Sequence, residues 1–333
     1  MRVLAAYGTL AAGCALAVGG CGEQSALEPR SDAARTIETL WWWMFAVACV
    51  VIGGAVVLLL IAWLWRSRPG FPLLGEREDV ATGVVVLFGI GIPGVALVAL
   101  FAVANFAALD ETEAPNPRTT AMTIEVTGNQ FWWEVRYPGT TAVTANEIHI
   151  PARTRVNVVA RTNDVIHSFW VPQLNRKIDM IPGQANRVLL YADEPGRYRG
   201  QCAELCGLAH AQMGMYVYAD PPDEFRAWLD RMSGPRQAPA TDAARKGERV
   251  FMNEACADCH TIRGTPARGE VGPDLTHLAS RSTLAALVIP NDREHLGGWI
   301  TDPQDVKPGN RMPALGLSER EVADLLAYLR SLG

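Results

Sequence analysis

The chain has 333 residues, about twice a common domain length, with 30 basic and 35 acidic side chains and a formal net charge of −5. Charged residues make up only 20% of it, which leaves no basic footprint for nucleic acid. Hydrophobic residues reach 49% and concentrate in the first third, where a membrane region is therefore expected.

Residues 1–20 read as a secretory signal, with one arginine, an apolar stretch and small residues ahead of Cys21. Val18-Gly19-Gly20-Cys21 matches a bacterial lipoprotein cleavage site, which would begin the mature chain at a lipidated Cys21; Cys14 is a weaker rival. Residues 40–65 carry no charge and suffice to cross a bilayer as a helix. Trp41, Trp42 and Trp43 at one end and Trp63 and Trp65 at the other fall where amphipathic rings favour the headgroup region. Residues 80–109 form a second uncharged apolar run, in which Pro93 and several glycines are tolerable in a membrane. Together these predict a two-helix transmembrane hairpin over 38–110. Its connection holds Arg66, Arg68 and Arg77 as well as Glu76, Glu78 and Asp79; counting the basic residues alone places it in the cytoplasm and both termini outside. Cys49, inside the first span, reads as a packing residue.

Residues 118–219 alternate short β-rich runs with turns, such as 122–126, 155–160 and 187–191, as a small antiparallel sandwich or barrel would, and 221–232 reads as a short helix that closes a domain over 118–232. Cys202, Cys206, His210 and Met213 follow one another closely, and with His167 upstream they gather two thiolates, two imidazoles and a thioether. That soft, compact set suits copper, and two cysteines allow both sulfurs to be shared by two ions. A disulfide is one competing reading, but it would leave His210 and Met213 without a purpose. Zinc is the other, although structural zinc sites close with four Cys/His ligands and have no use for a thioether.

Residues 233–241 are rich in Pro, Gly and small side chains and read as a linker, semi-rigid at most, that tethers the last region beside the copper. Residues 242–333 then read as a small helical domain. Cys256-Ala-Asp-Cys259-His260 has the spacing for covalent attachment of a c-type haem, with His260 as an axial ligand. Met312, before Pro313 and ahead of an amphipathic stretch over 318–332, stands where the small bacterial cytochromes c that this region resembles place the sixth ligand, and that resemblance favours it over His277 and His295, which read as surface or propionate-side residues. Met252 reads as core packing.

Three further runs extend the pattern: Met122-Thr-Ile-Glu-Val-Thr-Gly-Asn-Gln130-Phe-Trp-Trp133, Asp164-Val-Ile-His167-Ser-Phe-Trp170-Val-Pro172 and Lys177-Ile-Asp179-Met-Ile-Pro-Gly183. With the copper cluster they resemble subunit II of cytochrome c oxidase, the CuA subunit. Gly272-Pro273-Asp274-Leu275 and Asn310-Arg-Met312-Pro313 resemble the small bacterial cytochrome c, so the whole is similar to subunit II of a caa-type haem-copper oxidase. The resemblance implies a multidomain chain: a two-helix transmembrane hairpin, an all-β cupredoxin-like sandwich and an all-α cytochrome c domain. It also implies His167, Cys202, Cys206, His210 and Met213 as ligands of dinuclear CuA. Glu204 would contribute its backbone carbonyl to copper and its carboxylate to a magnesium ion against subunit I. Phe131, Trp132 and Trp133 match the patch where electrons enter.

As implied partners stand oxidase subunit I, which would hold the oxygen-reducing site, subunit III, the bacterial cell membrane, and a donor such as a cytochrome c or a quinol-cytochrome c reductase. The copper and haem domains would face the outer, periplasmic or extracytoplasmic, side. Neither span contains histidine, so neither can hold the haems that oxygen chemistry needs. There are two departures from the family. Phe131 stands where many members carry tryptophan, which suggests that electrons arrive mainly through the attached haem. Glu78 or Asp79 only approximates a glutamate at the mouth of a proton channel. A haem-copper nitric oxide reductase subunit and a membrane-tethered electron shuttle remain alternative functions.

Overall fold

A computed structural model describes residues 23–65, 78–112, 115–116 and 118–333. The signal segment with Cys14 and Cys21, and the connection carrying Arg66, Arg68, Glu76 and Arg77, lie outside the described residues. The chain divides into two compact units, Arg35–Glu113 and the remainder, Met1–Ala34 with Ala114–Gly333.

The described residues of the smaller unit are helical. Helix α1 (Asp32–Trp65) has 34 residues, about 50 Å at 1.5 Å per residue, against a hydrocarbon core of about 30 Å. It begins well before the apolar run because Ser31 caps it, its Oγ accepting from Ala34 N at 3.0 Å. The second apolar helix runs as α2 (Glu78–Val86), a π-helical turn over Leu87–Gly91 and α3 (Ile92–Thr112). Pro93 explains the irregularity: it lacks an N–H and its ring crowds the carbonyl four residues back, at Gly89, inside the π turn. Glu78 and Asp79 occupy the first turn of α2, where the helix dipole favours negative charge. Both helices are long and apolar enough to cross a membrane, and large apolar side chains along them are exposed.

The larger unit contains a sandwich of two five-stranded sheets. One has the order β3 (Val143–Ala145), β2 (Trp132–Arg136), β1 (Met122–Asn129), β5 (Val156–Thr162), β8 (Asn186–Leu190). The other has the order β4 (Glu147–Pro151), β10 (Gly214–Asp220), β9 (Gly196–Cys202), β6 (His167–Trp170), β7 (Ile178–Met180). The sheets are mixed rather than antiparallel throughout, because β1 pairs β5 and β10 pairs β4 in parallel. Alternate residues of β1 face inward, and Ile124, Val126, Trp133, Ile148, Val158 and Phe169 fill the space between the layers. Helix α4 (Pro222–Ser233) packs against this domain through Phe225 and Met232.

Residues 242–333 are built of helices and the two-stranded sheet β11 (Thr283–Leu284) and β12 (Ile289–Pro290). The helices of this region are α5 (Asp242–Asn253), α6 (Cys256–Cys259), α7 (Arg293–Thr301), α8 (Pro303–Val306) and α9 (Glu319–Leu329). Ser318 and Glu321 form a capping box at the start of α9. Helices α5 and α9 cross at Gly247, where a Cβ would lie 1.9 Å from Asp324 O, and Phe251 meets Tyr328 edge to face.

The linker is not a loose tether. Thr141 Oγ1 donates to Ser233 O at 2.7 Å, Arg263 Nη2 to Met232 O at 2.7 Å, His277 Nε2 to Gly234 O at 3.3 Å, and Arg236 pairs with Glu248 at 2.7 Å. Composition alone reports the linker's own weak propensities; the groups that hold it belong to the flanking domains. His277 is accordingly buried rather than a surface residue. Other contacts join the domains directly. Glu147 Oε1 accepts from Ser282 N and Oγ at 2.7 and 2.6 Å, and Gly214 N donates to Ala286 O at 3.2 Å. Ala285, Ala286 and Leu287, between β11 and β12, all have positive φ. Such a run costs a non-glycine backbone energy, and the interdomain hydrogen bond to Ala286 helps hold it.

Candidate metal centres

The side chains expected to bind copper converge where adjacent strands end together. His167 opens β6 and Cys202 closes β9, which pairs with β6 so that Phe169 faces Cys202. The β9–β10 loop supplies the rest. It is closed by Cys202 N donating to Met213 O at 2.9 Å and Ala203 N to Ser168 O at 3.0 Å. The two sulfurs of Cys202 and Cys206 lie 3.8 Å apart. Each has an imidazole beside it: His167 Nδ1 is 3.8 Å from Cys202 Sγ, and His210 Nδ1 is 3.7 Å from Cys206 Sγ. Met213 Sδ is 3.8 Å from Cys206 Sγ, and the Glu204 carbonyl oxygen is 3.2 Å from Cys202 Sγ.

This donor set fits a dinuclear copper centre. A disulfide requires about 2.05 Å between sulfurs, and a closed zinc tetrahedron takes four donors and no thioether. Two thiolates, each flanked by one imidazole, instead offer a pair of ions two shared sulfurs and a soft or carbonyl donor at either side.

The surroundings orient these side chains. His167 Nε2 donates to Asp164 Oδ1 at 2.9 Å, which turns Nδ1 toward Cys202. Burial alone would lower the His167 pKa, but the Cys202 sulfur and the Asp164 carboxylate together raise it. Asp164 is itself held low: burial opposes its ionisation, but the Gln130 N–H and His167 outweigh it. Hydrogen bonding from Cys206, together with His167 and backbone groups, draws Cys202 far below the usual thiol range, while Cys206 is pushed up by sharing its proton with Cys202. A thiolate is thus already favoured at Cys202. Gly128 lets the imidazole lie against β1, since a Cβ there would be 2.9 Å from His167 Cδ2. Trp133 Nε1 donates to Met213 O at 3.4 Å.

A second, largely apolar cavity lies among Cys256, Cys259, His260, Met312, Leu296 and Leu325. His260 Nδ1 donates to Pro273 O at 2.8 Å, leaving Nε2 for a metal, and burial lowers the pKa so that the ring is neutral. Gly272 cradles the ring: a Cβ there would be 2.4 Å from His260 Cε1. Burial pushes the Cys256 thiol up to about 11. The Met312 loop is fixed by Asn310 Oδ1, which accepts from Met312 N at 2.7 Å, and by Gln304 Nε2, which donates to Met312 O at 3.0 Å. Arg281 lines the same cavity; its Nη2 donates to Asp274 O while its buried Nε has no hydrogen-bond partner. Two cysteines, a neutral imidazole, a thioether and a buried guanidinium whose Nε has no partner, around an apolar space, fit a covalent haem with an anionic carboxylate edge. His277 and His295 do not line this cavity; His295 is exposed and paired with Asp292.

Phe131 and Trp133 are buried and Trp132 is half-buried. Gln130, Phe131 and Trp132 line the haem-type cavity together with His260 and Met312, so the patch faces the chain's own helical domain. Glu204 is half-buried, with its carbonyl toward Cys202. Asp164, which holds His167, and Arg281, which lines the second cavity, have surroundings that the sequence did not reveal. Asp164, three residues before His167, stood close enough to have suggested that contact.

Known proteins resemble this chain in sequence in both domains. Residues 139–219 match the family described as "Cytochrome C oxidase subunit II, periplasmic domain", and residues 244–333 match "Cytochrome c". Cytochrome c oxidase subunit 2 of Alkalihalophilus pseudofirmus is 37% identical over 80% of this chain and 78% of its own. That of Bacillus sp. (strain PS3) is 31% identical over 75% and 71%. The crystal structure of the periplasmic domain of subunit II of cytochrome oxidase of Bradyrhizobium japonicum covers 36% of this chain and 96% of its own, at 30% identity and a TM-score of 0.34. A copper-type loop on a sandwich, a haem-type cavity in the helical domain that follows, and relatives matched over most of their length place this chain in the cytochrome c oxidase subunit 2 family, in a form that carries a cytochrome c domain.

Proposed function

We propose that this chain feeds electrons into a respiratory haem-copper oxidase from its own covalent haem c, through CuA, to the haems of subunit I, where oxygen is reduced to water. The observation that carries the reading is the shared cavity, in which His260 and Met312 of one domain and Gln130 and Phe131 of the other line a single space. When bound, haem c and the copper pair each supply a one-electron couple, with Met/His ligation setting a high haem potential.

In this reading Cys256 and Cys259 bind the porphyrin and His260 and Met312 ligate its iron. Arg281 offsets a carboxylate of the porphyrin. His167, Cys202, Cys206, His210 and Met213 hold copper with the Glu204 carbonyl, and the Glu204 carboxylate holds magnesium at subunit I. Rigid strands under the copper loop keep the donors in place, so little reorganisation accompanies a change of charge. The divisions 118–232, 233–241 and 242–333 are the copper domain, the pinned connection and the haem domain. The helices of the smaller unit anchor the chain as a two-pass protein with both cofactor domains on the outer face, lipidated at Cys21. Subunit III is a further partner, and a cytochrome c or a quinol-cytochrome c reductase is the donor.

The test is optical and electron paramagnetic resonance spectroscopy of the detergent-solubilised complex. The expected result is c-type bands, a mixed-valence copper signal, a partner haem and oxygen uptake together. Purification of the chain alone, with haem c and copper but no other haem, would overturn the oxidase reading. Nitric oxide consumption without oxygen uptake would do the same.

A further inference from the structure

The side-chain amide of Gln130 is bonded at both ends, and its two partners belong to different domains. Its Nε2 donates to Cys206 O at 2.6 Å, inside the copper loop. Its Oε1 accepts from Arg311 Nη2 at 3.0 Å, and Arg311 immediately precedes Met312. The orientation is forced, because a carbonyl can only accept and a guanidinium can only donate. The backbone N of Gln130 donates to Asp164 Oδ2 at 2.7 Å, and Arg311 Nη2 reaches the same oxygen at 3.3 Å. The other oxygen of Asp164 holds His167. Behind the amide the packing is close: a Cβ at Gly207 would be 3.0 Å from Phe131 Cζ and 3.1 Å from Gln130 Nε2.

We infer that Gln130, with Asp164 and Arg311, is a positioning node that fixes the Met312 loop against the loops carrying Cys206 and His167, and so sets the coupling between the two cofactor sites. The inference rests on the cofactor assignment proposed above. Electron tunnelling weakens steeply with distance and most steeply across unbonded gaps. The run Met312, Arg311, Gln130, Cys206 is covalent except for two hydrogen bonds. One electron would leave the reduced haem and enter the oxidised copper pair; no bond to either breaks and no proton moves. Glutamine suits the position because one planar group must accept on one side and donate on the other. A carboxylate could serve Arg311 but would set an acceptor against the Cys206 carbonyl.

Two variants of the full oxidase complex separate the halves of the node. Arg311→Ala removes a half-exposed side chain and breaks the contact to the haem domain while keeping the bond to Cys206. Gln130→Glu keeps an acceptor for Arg311 and loses the donor to Cys206. In Arg311→Ala, amide exchange over residues 128–133 should rise, the copper paramagnetic spectrum should stay unchanged, and haem-to-copper transfer after photoreduction should slow by up to about 100-fold, as a misplacement of reacting groups by about 1 Å can do. In Gln130→Glu, exchange should stay as in the wild type, the copper hyperfine pattern should change, and transfer should slow by about the same factor. Wild-type transfer in both variants, or an unchanged copper spectrum in Gln130→Glu, would overturn the inference. Absence of c-type bands or of the mixed-valence copper signal in the wild-type complex would defeat the cofactor assignment and the inference with it.

Discussion

Lys307 donates its Nζ to the backbone carbonyl of Phe131 at 2.7 Å, which carries a cation of the haem domain to a position where it is only 2% exposed. Its second acceptor is Ala285 O at 2.9 Å, and no carboxylate pairs with it among the described residues. A neutral amine can still donate to both carbonyls, so the contact survives loss of the charge.

Burial lowers the Lys307 pKa from 10.5 to about 7. Below about pH 7 the docked and undocked states both carry the proton, and the cost of burying the charge is felt in full. Between that pH and 10.5 only the undocked, solvated lysine is protonated. The undocked state then binds more protons, so docking strengthens as pH rises. Protection factors at the amides of residues 128–133 should increase from about pH 7 to about pH 9 in the wild type. The same measurement on Lys307→Met should be flat, and protection that falls with pH in the wild type would contradict the argument.

Asp164→Asn keeps an acceptor for His167 but removes the negative charge that stabilises the imidazole proton facing it. Loss of such a partner weakens metal binding by about 10 to 100-fold. Competition with a copper chelator, followed by the paramagnetic signal of the copper pair, gives the number. An affinity equal to that of the wild type would mean that the strands alone orient His167.

Gly272→Ala should damage the haem domain alone. Its methyl would meet His260 Cε1 at 2.4 Å and Nδ1 at 2.8 Å, displacing the ring from Pro273 O. Overpacking of this kind costs about 1–3 kcal/mol. Haem c bound per chain should drop and the thermal transition of the haem domain should fall, with copper content unchanged. A loss of copper alongside the haem would show that the two domains do not fold independently.

Much of both sites was legible because their residues are local. Four of the five copper-type side chains fall between Cys202 and Met213, and the haem-type motif occupies five consecutive residues ending at His260. The strands were legible as short β-rich runs between turns, and β1, which begins with one of them at 122–126, buries alternate residues. The parallel pairing of β1 with β5 was not legible, because register between distant strands leaves no local periodicity. The fixed linker and the docked domains escaped for a related reason. Lys307 and Phe131 are 176 residues apart, and Arg311 and Gln130 are 181 apart. Neither lysine nor arginine on a polar loop announces that its partner is a backbone carbonyl or an amide in another domain. His277 looked like a surface residue because a lone histidine between Thr276 and Leu278 gives no sign that Gly234 lies over it.

Gly128 adds a constraint of another kind. Its φ is not in the left-handed region, so β1 would accept any side chain there on backbone grounds. What forbids one is the 2.9 Å left between its missing Cβ and His167 Cδ2. In a saturation screen, position 128 would therefore behave like a ligand although it donates nothing to a metal. The genetic footprint of the centre is wider than its coordination sphere, and it includes residues whose contribution is to have no side chain.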